Sequence, residues 1–120
     1  MNNKKDTGKY GEEEACKYLQ RKNYKIIERN FLCRQGEIDI IAKSPRGELI
    51  FIEVKTRSSL KYGMPCEAVT PKKINNIIYS AKYYIFKNRL YNIDVRFDVI
   101  EIFLHNKKCI IHHIKNAFIG

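Results

Sequence analysis

No apolar run in this 120-residue sequence approaches the ~18 residues that a membrane-spanning helix requires. The opening stretch MNNKKDTGKYGEEE carries a lysine pair with no apolar segment behind it, so it does not read as a secretory signal. A cytoplasmic protein is the expectation. Paired cysteines are missing as well. Cys16, Cys33, Cys66 and Cys109 stand far apart with no CxxC, and the three histidines show no ligand-like spacing, which argues against a structural zinc site. Free thiols in a reducing compartment follow. His112 and His113 are neighbours, so on a strand they point to opposite faces and cannot grip one metal together. Internal repeats, low-complexity tracts and linkers are also absent, and the length suits a single domain over residues 1–120.

Negative charge is scarce. Thirteen acidic side chains face twenty-three basic ones, a formal net charge of +10. Such an excess points to a polyanionic partner, of which nucleic acid is the commonest. The lysine pairs Lys4/Lys5, Lys72/Lys73 and Lys107/Lys108 are spread along the chain, which fits a folded basic surface better than a disordered arm. A hydrophobic fraction of 44% with 12% aromatics supports a globular fold.

Periodicity predicts the elements. Residues 8–22 read as a helix with Gly8, Glu12, Ala15 and Leu19 on one face. YKIIERNFLC (24–33), GEIDIIA (36–42) and ELIFIEVKT (48–56) read as strands, the last two joined by a turn at KSPRG. After the loop RSSLKYGMPCEAV, Thr70-Pro71 is an N-cap followed by proline at the first helical position. That helix runs to about Asn88 with an apolar stripe of Ile74, Ile77, Ile78, Ala81 and Ile85. IDVRFDVIEIFL and CIIHHI complete a mixed sheet, turning at HNKK, where His105 sits.

Three polar residues interrupt the apolar strands. Alternation places Glu53 and Lys55 on one face of their strand, and Glu37 and Asp39 on one face of the strand before. If the strands pair, Asp39 comes close to Glu53 and Lys55, and carboxylates brought together repel. Glu12 adds to this group, because it alone of Glu12, Glu13 and Glu14 falls on the helix face that packs on the sheet. Glu13 sits one turn before Lys17, a plausible surface pair. A divalent cation resolves the repulsion. Mg²⁺ or Mn²⁺ on Asp39 and Glu53, with the backbone carbonyl of Val54 as a further oxygen and Lys55 as a catalytic cation, is the arrangement of metal-assisted phosphodiester hydrolysis. Glu37 and Thr56 are secondary candidates.

Asp39, Glu53 and Lys55 resemble the PD-(D/E)xK nuclease motif, with Ile38 where that superfamily has proline. GEEEACKYL, ERNF, GEIDIIA, FIEVKTR, YGMPCEAV, RFDVI and the terminal NAF together resemble the YraN family of bacterial proteins along nearly the whole chain. Members are described as endonucleases and look like archaeal Holliday junction resolvases, which also carry a glutamate on helix one, where Glu12 stands. The resemblance implies an α/β, restriction-endonuclease-like fold, a mixed sheet of about five strands flanked by helices. It also implies a magnesium-dependent endonuclease acting on DNA, branched or structured DNA included. The alternative is a nucleic-acid-binding module of the same fold that cleaves weakly or not at all. A protein-interaction adaptor would leave the net charge and the carboxylates unexplained.

Tyr79, Tyr83 and Phe86 form a second stripe on the later helix, roughly opposite the isoleucines. It reads as the contact of a homodimer, as a patch covered by a loop or terminus, or as a stacking surface for unpaired bases. Arg96 and Asp98, two apart in RFD, read as an ion pair on one strand face.

Overall fold

The computed structural model describes residues 4–57, 69–105 and 108–120. The order is helix α1 (Lys4–Arg21), strands β1 (Lys25–Cys33), β2 (Gly36–Lys43) and β3 (Leu49–Arg57), helix α2 (Pro71–Lys87), and strands β4 (Val95–His105) and β5 (Lys108–Phe118). The five strands form one sheet in the order β1-β2-β3-β4-β5. β1, β2 and β3 are an antiparallel meander, β3 and β4 run parallel with α2 as the crossover, and β5 returns antiparallel to β4. The fold is therefore α/β with a mixed sheet, as the periodicity predicts. Residues 58–68 of the loop RSSLKYGMPCEAV, which hold Cys66 and all of YGMPCEAV but its valine, and the centre of the HNKK turn lie outside the described residues.

Local chemistry sets the helix ends. Past α1, Asn23 takes a left-handed φ of 68°. Tyr24 N donates to Leu19 O (2.9 Å) and Asn23 N to Gln20 O (3.0 Å), the paired bonds of a Schellman closure. At α2, Thr70 Oγ1 accepts from Lys73 N (3.2 Å) and Pro71 opens the first turn. α1 begins a turn earlier than the periodicity predicts, and β5 runs on through Asn116 and Ala117 to Phe118. Cys16, Cys33 and Cys109 are free thiols.

Alternation along the strands gives the sheet two apolar faces, each under one helix. Ala15, Cys16 and Leu19 of α1 cover Ile40, Ala42, Ile50, Ile52, Ile100 and Ile102. On the other face Ile77, Ala81 and Tyr84 of α2 cover Phe31, Ile41, Leu49, Phe51 and Phe97. Two sequence expectations need correction here. The packed glycine of α1 is Gly11, where a Cβ would collide with the Thr56 side chain, whereas a Cβ at Gly8 would meet nothing. The buried face of α2 is also turned. Ser80 and Tyr84 are buried with Ile77 and Ala81, while Ile74, Ile78 and Ile85 lie at its margins. Tyr84 is drawn in by edge-on contacts with Phe31 and Phe51, at centroid distances of 5.2 and 5.9 Å. Tyr79 and Phe86 are exposed, and Tyr83 is partly covered by stacking on Phe31. Among the described residues no helix is long and apolar enough to cross a membrane.

Candidate active site

Ile40 and Ile52 are the outermost β2–β3 pair at the end of the ladder toward Asp39 and Glu53. Beyond it the Val54 N–H has no ladder partner on β2, and an unpaired buried N–H is costly. Asp39 supplies the acceptor instead: its Oδ2 takes the Val54 N–H at 2.8 Å. The carboxylate of Asp39 is thus fixed at the point where two central strands part.

Glu53 follows Phe51 on the α2 face of β3 and is only 5% exposed. Two ammonium groups reach one of its oxygens, Lys55 Nζ at 3.7 Å and Lys73 Nζ at 3.6 Å from Oε2. The other oxygen, Oε1, is buried without a hydrogen-bond partner among the described residues. Burial first, then the charge of Asp39, pushes the Glu53 carboxyl up to about 7 against the opposing pull of Lys73 and Lys55. Asp39, Glu53 and Lys55 are therefore together, as strand alternation predicts. Lys73 is the member that sequence reasoning missed. Its signal was present in Thr70-Pro71-Lys72-Lys73, since the first turn of a crossover helix often lies near the carboxyl end of the strand before it.

Glu12 stands further out. It is half-buried, with Arg29 Nη2 4.0 Å from its Oε1. Burial and then the charge of Asp39 raise its carboxyl, while a hydrogen bond from Asn30 and the Arg29 charge pull it back. Glu13 is exposed and bonds Arg29 Nη1 at 2.7 Å, so its partner is on β1. Lys17 pairs instead with Glu14, at 3.4 Å. Among the described residues no three carboxylate, imidazole or thiolate side chains gather as a metal-holding group. The close set is a pair, Asp39 and Glu53, with Glu12 within electrostatic reach. Glu37 is exposed and acts on Glu12 through its charge, and Thr56 lies against Gly11 of α1.

On the same sheet face Lys55 is in register with Glu101 of β4, a buried carboxylate that bonds His112 Nδ1 at 3.0 Å and lies 3.8 Å from Arg57 Nη2. His113 faces the other way, toward Asp98, so the two histidines separate as adjacent strand residues must.

The family model described as "Uncharacterised protein family UPF0102" matches residues 11–102. A UPF0102 protein of Clostridioides difficile is 53% identical over 98% of this chain and 100% of its own length. One from Caldicellulosiruptor saccharolyticus is 43% identical over 97% of this chain and 99% of its own. Among solved structures, Pyrococcus furiosus SfsA in complex with Ca²⁺ aligns at 15% identity with a TM-score of 0.31, covering 92% of this chain and 61% of that one. The family match takes in most of α1, the carboxylate pair and most of β4, and the relatives run end to end with the chain, in line with the YraN resemblance: the chain belongs to the UPF0102 family.

Proposed function

We propose that the protein is a metal-dependent nuclease that hydrolyses phosphodiester bonds in nucleic acid, with DNA as the expected substrate. The observation that carries this reading is the Oε1 atom of Glu53, a buried carboxylate oxygen without a hydrogen-bond partner among the described residues, beside the charge of Asp39. Such an atom is costly to bury, and a divalent cation relieves both the desolvation and the repulsion. Two carboxylates suit Mg²⁺ or Mn²⁺, which complete their shells with water and substrate phosphate oxygens. Asp39 and Glu53 would hold the ion. The N–H and C=O of one strand residue point to the same edge, so the Val54 carbonyl is available as a further oxygen. The bound ion would supply an acidified water and charge neutralisation at phosphorus. Lys55 and Lys73 put two fixed ammonium groups beside that position, where they oppose the negative charge that grows in the transition state.

The metal site can be tested without any activity assay. Glu53 is raised from an ordinary 4.5 to about 7 in the folded chain, so between those pH values the folded state holds a proton that the unfolded state has lost. Stability from this group is complete below about pH 4.5 and is lost as pH rises through 7, an effect on the order of 3 kcal/mol. Mg²⁺ competes with that proton. Thermal unfolding should shift upward with Mg²⁺ at pH 8 and much less at pH 6. Glu53→Gln should be more stable than wild type at pH 8 without metal, yet blind to Mg²⁺. A Mg²⁺ response retained in Glu53→Gln would move the ion elsewhere.

Glu12 and Glu13 separate by the same logic. Glu12→Gln should weaken metal-dependent cleavage, because Glu12 shares the field of Asp39, whereas Glu13→Gln loses only an exposed pair with Arg29. Cleavage rates of the two variants side by side decide it, and a larger loss at Glu13 would overturn the assignment.

Two sites are needed to cut both strands of a duplex, and a two-fold dimer supplies them. The exposed Tyr79, Tyr83 and Phe86 are the proposed contact. Tyr83→Glu should then convert a dimer to a monomer in light scattering. A monomeric wild type, or a dimer indifferent to the substitution, removes this contact.

A further inference from the structure

At the amino end of β3 lies a cleft of about 530 Å³ that the proposed nuclease chemistry does not use. Its walls come from the end of α1, the β2–β3 turn, the start of β4 and the last part of β5. Glu48 lines it, five residues before Glu53, so roughly 17 Å of extended chain at ~3.3 Å per residue separates the cleft from that carboxylate.

The lining is strongly cationic. Lys22, Arg46, Arg96 and Lys115 face one carboxylate, Glu48. Arg96 is already balanced: it holds Glu48 at 3.0 Å and Asp98 through two bonds of 2.9 and 2.8 Å. Lys22, Arg46 and Lys115 form no ion pair with any described residue, so the cleft keeps an uncompensated positive charge.

The frame behind its lining is pre-organised. The fully buried Asp98 takes His113 Nε2 at 2.7 Å and the Asn116 N–H at 2.9 Å besides Arg96. His113 Nδ1 meets the Tyr18 hydroxyl at 2.9 Å, and Arg96 Nη2 donates to the Tyr24 hydroxyl at 2.9 Å. The turn that carries Arg46 is tied from both sides by Ser44, whose Oγ accepts the N–H groups of Arg46 and Glu48, and whose carbonyl accepts from Gly47 N. Cations presented from a braced frame lose little freedom on binding.

We propose that this cleft binds a phosphate monoester. Its volume falls in the range of small-ligand sites rather than of the extended basic surfaces that grip duplex nucleic acid. Unpaired Lys and Arg side chains over a fixed arginine match a compact dianion, and the space exceeds one phosphate, leaving room for the group that carries it. That carrier is either a free nucleotide or the phosphorylated end of a nucleic-acid strand. The site is independent of the carboxylate pair and of whether the protein cleaves.

The test is titration of the full chain in EDTA, followed by amide and side-chain NMR shifts and by calorimetry. The probes are inorganic phosphate, a nucleoside 5′-monophosphate, and a short single strand with and without a 5′-phosphate. Phosphate and at least one monoester should bind, moving signals of Tyr18, Arg46 and Lys115. The Arg46→Ala/Lys115→Ala variant should weaken binding by about tenfold or more, as expected for lost charge-assisted hydrogen bonds. Lys87→Ala, an exposed lysine on α2, should leave affinity unchanged, and Lys55→Ala should too, which separates this site from the nuclease reading. Tighter binding of the mononucleotide identifies a free nucleotide as the ligand. A preference for the 5′-phosphorylated strand over its hydroxyl counterpart identifies a strand end. No binding by any probe, or an equal loss in Lys87→Ala, would overturn the proposal.

Discussion

Lys55→Ala should lower metal-dependent cleavage by at least ~100-fold, the scale of removing one transition-state stabiliser, while leaving nucleic-acid affinity nearly intact. Lys55 pairs with Glu53 Oε2 at 3.7 Å and its side chain is 32% exposed, so its removal leaves no enclosed cavity. Lys73, at 3.6 Å from the same oxygen, stays behind to steady the carboxylate. A fold defect therefore does not account for the loss. A cleavage panel over duplex, single-stranded, flapped and four-way DNA with Mg²⁺ measures the effect and ranks the substrates at once. Activity equal to wild type would sink the nuclease reading and leave a nucleic-acid-binding module of the same fold.

The largest expected loss of stability lies at Asp98. Asp98→Ala would leave Arg96 and His113 inside the protein without their common carboxylate, and breaking a buried charge pair in this way costs about 3–5 kcal/mol. Burial pushes the Asp98 carboxyl upward, but hydrogen bonds from His113, Arg96 and the Asn116 N–H outweigh it and hold it below the usual carboxylate range. Its contribution is thus present above the ordinary carboxylate pKa and is lost as pH falls through the depressed one, opposite in sign to that of Glu53. Urea unfolding at pH 7 should show a lower midpoint with an unchanged slope. A variant as stable as wild type would mean that water replaces the carboxylate at no cost.

What the sequence disclosed depended on how local the signal was. Strand alternation is a property of neighbouring residues, so the two faces of β3 and the juxtaposition of Asp39, Glu53 and Lys55 were readable. Thr70-Pro71 marked its helix for the same reason. The Arg96–Asp98 pair, two residues apart on one strand, was also visible. The rest of that network was not, because His113, Tyr18, Tyr24 and Glu48 arrive from other elements. Lys73 depended on where the crossover helix begins over the sheet. The turned face of α2 was hidden because counting isoleucines cannot tell that Phe31 and Phe51 will draw Tyr84 inward. The orphaned oxygen of Glu53 exists only once β2 and β3 have parted.

Chain connectivity divides this sheet unequally. β2 and β3 are joined by the five residues 44–48, and only two residues separate β4 from β5, whereas β4 can lie beside β3 only after residues 58–94 have been gathered in. In conformational entropy that closure costs about 2 kcal/mol more than the β2–β3 turn. The parallel ladder is thus the seam between two locally closed halves. Asp39 and Glu53 both ride on the first half, and Asp98 with its imidazole partner on the second. The carboxylate pair is brought together by a short hairpin closure, and the Lys73 that answers its charge can arrive only when the seam is drawn shut.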